Sequence, residues 1–235
     1  SLLQIENEFY GTIRPKRTTR SGERPLHALR ERGVEYVEVR LMDLDPFDPL
    51  GINTSTMRML DVFLLHCLLT DSPPDSPEEI AQLKHNQHLA AERGREPGLQ
   101  LLRGQDRVAL VDWAAQVLQE CAPMAAALDA THATTAYSDA LAQARQRVAQ
   151  PQTTPSARVL DDMRRLHGNS FEQFGLTQSL WAREHLLGLP WSEAQQAQFA
   201  QFAQTSVQAQ QAIEAADTGT FEEWRQRYMD PAALG

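Results

Sequence analysis

The sequence predicts an α+β chain that is mostly helical, with its main strands gathered near the front. Two short alternating stretches and one long helical tract carry this expectation. Residues 3–10 alternate, with Leu3, Ile5, Asn7 and Phe9 on one side and Gln4, Glu6, Glu8 and Tyr10 on the other. Residues 34–42 alternate as well: Val37, Val39 and Leu41 share one face, and Tyr36, Glu38 and Arg40 share the opposite one. A period of two is the pattern of a half-buried strand. From about Thr54 onward almost every segment reads as helix.

The elements follow in order. Between the two strands lies a loop rich in arginine, lysine and glycine. A short helix over Pro25–Arg32 comes next, stopped by Gly33. After the second strand, MDLDPFDPLGINTS is a loop dense in Asp, Pro and Gly. Ser55 can cap a helix running to about Thr70, apolar on most sides and therefore expected to be buried. SPPDSPEE is a turn and a new cap, with Pro77 in the first turn of a polar helix reaching about Arg95. GREPGLQLLRGQDRVAL reads as irregular, with a short strand pair. Helices are expected over 110–129, 132–148, 155–166, 170–187, 192–216 and 219–229. In the Gln/Ala-rich stretch near the end, Phe199, Phe202, Val207 and Ile213 recur at near-helical spacing. That predicts a surface helix with one buried stripe, in preference to a partner-binding coiled coil. Two regions result: residues 1–51, strands with a basic loop, and residues 52–235, helical.

Composition limits the function classes. The 235 residues are 42% hydrophobic, enough for a sizeable core. The net charge of −9 argues against a general nucleic-acid or membrane-surface binder, whose affinity would come from cationic residues. Two cysteines, Cys67 and Cys121, with no CxxC pair, suit a reducing cytoplasmic setting. The apolar run Val62–Leu69 is too short to span a bilayer. The chain opens at Ser1 and enters the first strand almost at once, an abrupt opening expected of a processed or nicked product rather than of a natural domain start.

The residues able to carry chemistry lie at the front. Glu38 and Arg40 are two apart, so they leave the same face about 7 Å apart. Alone they read as a solvated pair on a sheet surface. If the two strands pair with both apolar faces toward a core, one polar face carries Glu6, Glu8, Tyr10, Tyr36, Glu38 and Arg40. Three carboxylates on one face repel unless a cation is present, and hard cations take such oxygen ligands together with phosphates. Arginine suits an oxyanion there. The loop RPKRTTRSGER adds Arg14, Lys16, Arg17, Arg20 and Arg24, which read as a solvated basic loop, a nucleic-acid patch or a phosphate grip. His85, His88 and Glu92 share a helix face, a spacing that scattered surface residues also produce. His66 reads as a satisfied core histidine and Cys67 as small apolar filling. The four tryptophans read as packing residues.

In that order and spacing, LQIENEFYGTIRPKRTTRSGE, GVEYVEVR and DLDPFDPLGI resemble the bacterial, proteobacterial-type glutamate–cysteine ligases, also called gamma-glutamylcysteine synthetases. LDVFLLHCLL, HLAAERGREPGL and EAADTGTFEEW continue the similarity more weakly. The resemblance implies a glutamine-synthetase-like antiparallel active-site sheet followed by a helical C-terminal region. It also implies use of ATP and magnesium, with manganese as the alternative ion. The substrates would be L-glutamate and L-cysteine, joined through a gamma-glutamyl phosphate in the first step of glutathione synthesis. Glu38 would be a metal ligand, Arg40 would hold the transferred phosphoryl group and Tyr10 would contact the cysteine substrate. Glu6 and Glu8 enter the substrate site on shared face alone. Arg14, Lys16, Arg17 and Arg20 are the weaker nucleotide contacts. Family members are about twice this length, so the chain is similar to their C-terminal half, with the N-terminal half as its necessary partner and no activity expected without it. Two rivals stand beside this reading: a non-catalytic helical interaction module, and a related carboxylate–amine ligase with another amine acceptor.

Overall fold

The computed structural model describes residues 11–40 and 42–230. The expected strand at 3–10, with Glu6, Glu8 and Tyr10, lies outside the described residues, as does Leu41. The described chain is mostly helical, with two small antiparallel hairpins. It divides into two compact units: residues 1–43 with 190–235, and residues 44–189.

In the first unit, strand β1 (Ile13–Lys16) is followed by helix α1 (Pro25–Arg32) and strand β2 (Tyr36–Val39). Pro25 sits in the first turn of α1, and Gly33 ends the helix at φ 72°, a backbone angle that favours glycine. The loop into α1 is tied back by a two-pronged pair: Arg32 donates to Glu23 through Nη1 at 2.6 Å and Nη2 at 2.7 Å. Arg20 N–H donates to the same carboxylate at 2.8 Å. These bonds from Arg32, then from Arg20, hold the Glu23 carboxyl down to about 2. The unit's last two helices are α9 (Glu193–Ala216) and α10 (Phe221–Met229), each opened by a capping box, Ser192 with Gln195 and Thr220 with Glu223. On α10, Trp224 stacks on Tyr228, whose ring lies 5.1 Å from the buried Arg24 guanidinium.

The expected buried stripe on α9 is not buried. Phe199, Phe202, Val207 and Ile213 are each more than half exposed. Trp191 and Phe199 touch, as do Phe199 and Phe202, but nothing among the described residues covers the stripe. Helical spacing creates an apolar face; it does not supply the surface that closes over it.

The second unit holds α2 (Thr54–Leu69), α3 (Pro77–Arg93), the hairpin β3 (Gln100–Arg103) and β4 (Asp106–Ala109), then α4 (Leu110–Glu120), α5 (Ala122–His132), α6 (Ala136–Ala149), α7 (Pro155–Leu166) and α8 (Phe171–Leu187). The cap of α2 is Asn53 rather than Ser55; its side chain accepts from Thr56 N–H at 2.8 Å. The stretch expected as one helix over 110–129 breaks at Cys121, where Pro123 in the first turn of α5 has no N–H to continue α4. The core is Val62, Leu118, Cys121, Ala125 and Leu141, where α2, α4, α5 and α6 meet. Two polar devices fix its edges. Asn86 on α3 donates to Leu102 C=O at 2.7 Å and accepts from Leu102 N–H at 2.9 Å, clipping α3 to β3. Asp129 accepts from Tyr137 N–H and Ser138 N–H at the start of α6. Burial pushes its carboxyl up, and the bonds from Ser138 and Tyr137 outweigh this and leave it low. Phe47, in the Asp/Pro loop, packs edge-on to the buried Phe174 of α8 and under Arg158 of α7.

Three further expectations change. Helix α2 buries one side only: Val62 is fully buried, while Met57, Phe63, Leu68 and Leu69 are exposed. Cys67, on the open side, is exposed rather than core filling. Trp181, Trp191 and Trp224 are each at least 40% exposed, so they do not act as core packing. His66 does have partners: its ring lies 3.3 Å from Thr70 Oγ1 and 3.6 Å from Glu120 Oε2. Among the described residues, no helix is long and apolar enough to cross a membrane.

Candidate active site

The β1–β2 hairpin assembles the described part of the site. Its register pairs Ile13 with Val39, Arg14 with Glu38, Pro15 with Val37 and Lys16 with Tyr36. Arg40 N–H donates to Thr12 C=O at 2.9 Å. Antiparallel alternation then makes Arg14–Glu38 a hydrogen-bonded pair and leaves Pro15 at a non-bonded position, where its missing N–H breaks no ladder bond. The partner of β2 among the described residues is therefore the first part of the expected basic loop. Arg14 and Lys16 are strand residues, not loop residues.

One face of the hairpin carries Arg14, Lys16, Tyr36 and Glu38; the other carries Ile13, Pro15, Val37 and Val39. Ile13 and Val37 are nearly half exposed, so the apolar face has no closed core beneath it among the described residues. On the polar face, Glu38 Oε2 sits 3.2 Å from Lys16 Nζ and 3.2 Å from Arg40 Nε. These separations are those of hydrogen bonds, but Oε2 is shielded from solvent and lacks a well-aligned donor. Charge rather than directed bonding therefore holds it. Arg40 first, then Lys16, lower the Glu38 carboxyl against the upward push of burial. The side chain as a whole stays 35% exposed, so it is not sealed against apolar neighbours.

The remaining loop cations go elsewhere. Arg17 Nε lies 3.7 Å from Glu35 Oε2, and Thr18 N–H donates to that oxygen at 3.0 Å. That bond from Thr18, with Arg17 adding charge, lowers the Glu35 carboxyl. Arg20 lies in the turn whose N–H holds Glu23. The structure thus brings Arg14, Lys16, Glu38 and Arg40 together and leaves Arg17 and Arg20 off this face. The role of Lys16 as a direct neighbour of Glu38 was hidden in the sequence, because Pro15 and the surrounding charges mask the alternation of Ile13-Arg14-Pro15-Lys16.

A magnesium or manganese centre is not formed by these residues alone. Glu38 is a single carboxylate already flanked by two cations, and no group of three or more His, Cys, Asp or Glu side chains suited to a metal occurs among the described residues. His85, His88 and Glu92 form no such group either.

The proteins similar to this chain by sequence and by shape are enzymes of one class. Residues 1–90 match the glutamate-cysteine ligase family. Over 229 residues, 97% of its length, the chain is 44% identical to a glutamate–cysteine ligase of Azotobacter vinelandii and 45% identical to one of Pseudomonas paraeruginosa, covering 43% of each. A crystal structure of glutamate–cysteine ligase from Francisella tularensis in complex with AMP superposes with a TM-score of 0.86 at 33% identity, over 97% of this chain and 44% of that one. The chain aligns along nearly its whole length with part of these glutamate–cysteine ligases, and it spans less than half the length of the relatives it matches.

Proposed function

We propose that the chain is the C-terminal part of an ATP-dependent ligase that joins the side-chain carboxylate of L-glutamate to the amine of L-cysteine. The reaction passes through a gamma-glutamyl phosphate and opens glutathione synthesis in the cytoplasm. The observation that carries this reading is the Glu38 carboxylate set between Lys16 and Arg40 on the face that also bears Arg14. The crystal structure of the Francisella tularensis relative with AMP supports an adenine nucleotide as substrate. In this reading Arg40 binds the oxygens of the phosphoryl group as it leaves ATP for the glutamate carboxylate. Arg14 and Lys16, with weaker help from Arg17 and Arg20, bind the nucleotide phosphates. Such fixed cations neutralise charge that spreads over the phosphoryl oxygens in transfer. Glu38 orients Arg40 and Lys16 and would contribute one ligand to a magnesium or manganese ion, which when bound would neutralise charge on the nucleotide phosphates. Tyr10 contacts cysteine, with Glu6 and Glu8 nearby, and the cysteine amine then displaces phosphate.

The test supplies the rest of the ligase and follows phosphate release that depends on ATP, glutamate and cysteine. The chain alone should be inactive. Arg40→Ala and Glu38→Ala should each lower turnover at least about 10²-fold, the scale of losing a charge-stabilising group. Near-normal turnover in both variants would end the assignment. Absence of nucleotide binding on reconstitution would favour a non-catalytic module, and turnover with glutamate but another amine would favour a different acceptor.

A further inference from the structure

Helix α2 is apolar on nearly its whole circumference, a pattern that belongs to a helix enclosed on all sides. Only one side is enclosed. Val62 is fully buried, and Met59 packs with it against α5 and α6. The opposite side carries Met57, Leu60, Phe63, Leu64, Cys67 and Leu68, spaced by threes and fours along one face. Of these, Met57 is 52%, Phe63 38% and Leu68 76% exposed. Isolated apolar residues at a surface are ordinary; a continuous face along about three turns marks a contact surface.

We propose that this outer face of α2 is where the remaining part of the ligase packs onto residues 44–189. The inference rests on the reading of this chain as one part of a longer ligase, and it is independent of the roles given to Glu38 and Arg40. The occupant follows from length and shape. The Francisella tularensis relative shares this fold over 97% of the chain, yet more than half of that relative lies outside the match. The relatives thus hold ample polypeptide to cover the face. The α2 face is also uncharged along its centre, with Asp61 and Arg58 off its midline, so it suits an apolar partner surface rather than a charged one.

Cys67 lies toward the C-terminal end of this face and is exposed, whereas Cys121 is buried in the core. The two cysteines make a built-in reporter. Burial holds the Cys67 thiol above its ordinary value, so the chain is labelled with N-ethylmaleimide at an alkaline pH of about 8.5, alone and with a polypeptide comprising the unmatched part of the Azotobacter vinelandii relative. Cys67 should react readily in the chain alone and at least about tenfold more slowly with the added polypeptide, while Cys121 stays unreactive in both. Leu68→Glu, at an exposed position, should leave the helical circular dichroism intact and weaken co-elution at least about tenfold, the loss expected of a central apolar contact; Leu68→Met should restore it. Co-elution without protection of Cys67 would overturn the assigned face while leaving the ligase reading in place. Failure of the two polypeptides to associate would overturn both. Slow labelling of Cys67 in the chain alone, or protection that rises with the chain's own concentration, would show the face covered by the chain itself or by a second copy and would also overturn the proposal.

Discussion

Glu23 shows how a single carboxylate can fasten a loop. It receives both arms of Arg32 and the N–H of Arg20, so its carboxyl titrates at about 2 rather than 4.5. A folded value below the unfolded one stabilises the folded state above about 4.5, and that contribution fades as the pH falls from there toward 2. Glu23→Gln keeps the size and loses the charge. Its urea midpoint should fall below that of the parent chain at about pH 5, and the gap should close near pH 2. A gap that stays constant across this range would remove the ion pair from the account. The same scale shows what sequence reading can reach. That Glu38 and Arg40 share a face follows from a spacing of two, and the 3.2 Å contact between them agrees. That Lys16 joins them does not follow, because a proline and three cations within the four residues 14–17 read as loop. Asn86 was missed altogether: one polar residue on a polar helix gives no sign that both ends of its amide will close on Leu102.

Helix ends and breaks are the features that local chemistry dictates most firmly. Helix α1 occupies Pro25–Arg32 as its proline and glycine demand, and α7, α8 and α9 lie within a residue of their expected spans. Their caps are Thr154, Ser170 and Ser192, residues whose side chains accept from the first turn. One terminus departs from good chemistry. Helix α5 ends at Ala133, in the left-handed region at φ 51° and ψ 49°, where its N–H donates to Asp129 C=O. A side chain with a Cβ is strained there by about 1 kcal/mol. Ala133→Gly should therefore stabilise the fold by at most about 0.6 kcal/mol, once about 0.4–1 kcal/mol for the greater freedom of unfolded glycine is subtracted, and so raise the unfolding midpoint slightly. An unchanged or lower midpoint would mean that the strain is relieved in some other way. Burial, by contrast, is a property of what lies opposite an element. The outer faces of α2 and α9 both carry the right spacing, and neither is covered by the described residues.

For the molecule as a whole, the division into units has consequences for independence. Residues 44–189 are continuous in sequence and contain the core around Val62, Leu118, Cys121, Ala125 and Leu141. Produced alone, this segment should keep its helical circular dichroism and unfold in one cooperative urea transition. A non-cooperative, sloping transition would show that its core depends on the flanking residues. The other unit cannot be cut out so simply, since it is made of both ends of the chain. Arg24, near the front, lies against the ring of Tyr228, near the back. A ribosome delivers these two residues at opposite moments of synthesis. The charged hairpin and its basic loop must wait, only partly supported, until the last helix has emerged, whereas the segment between them can settle while translation is still under way.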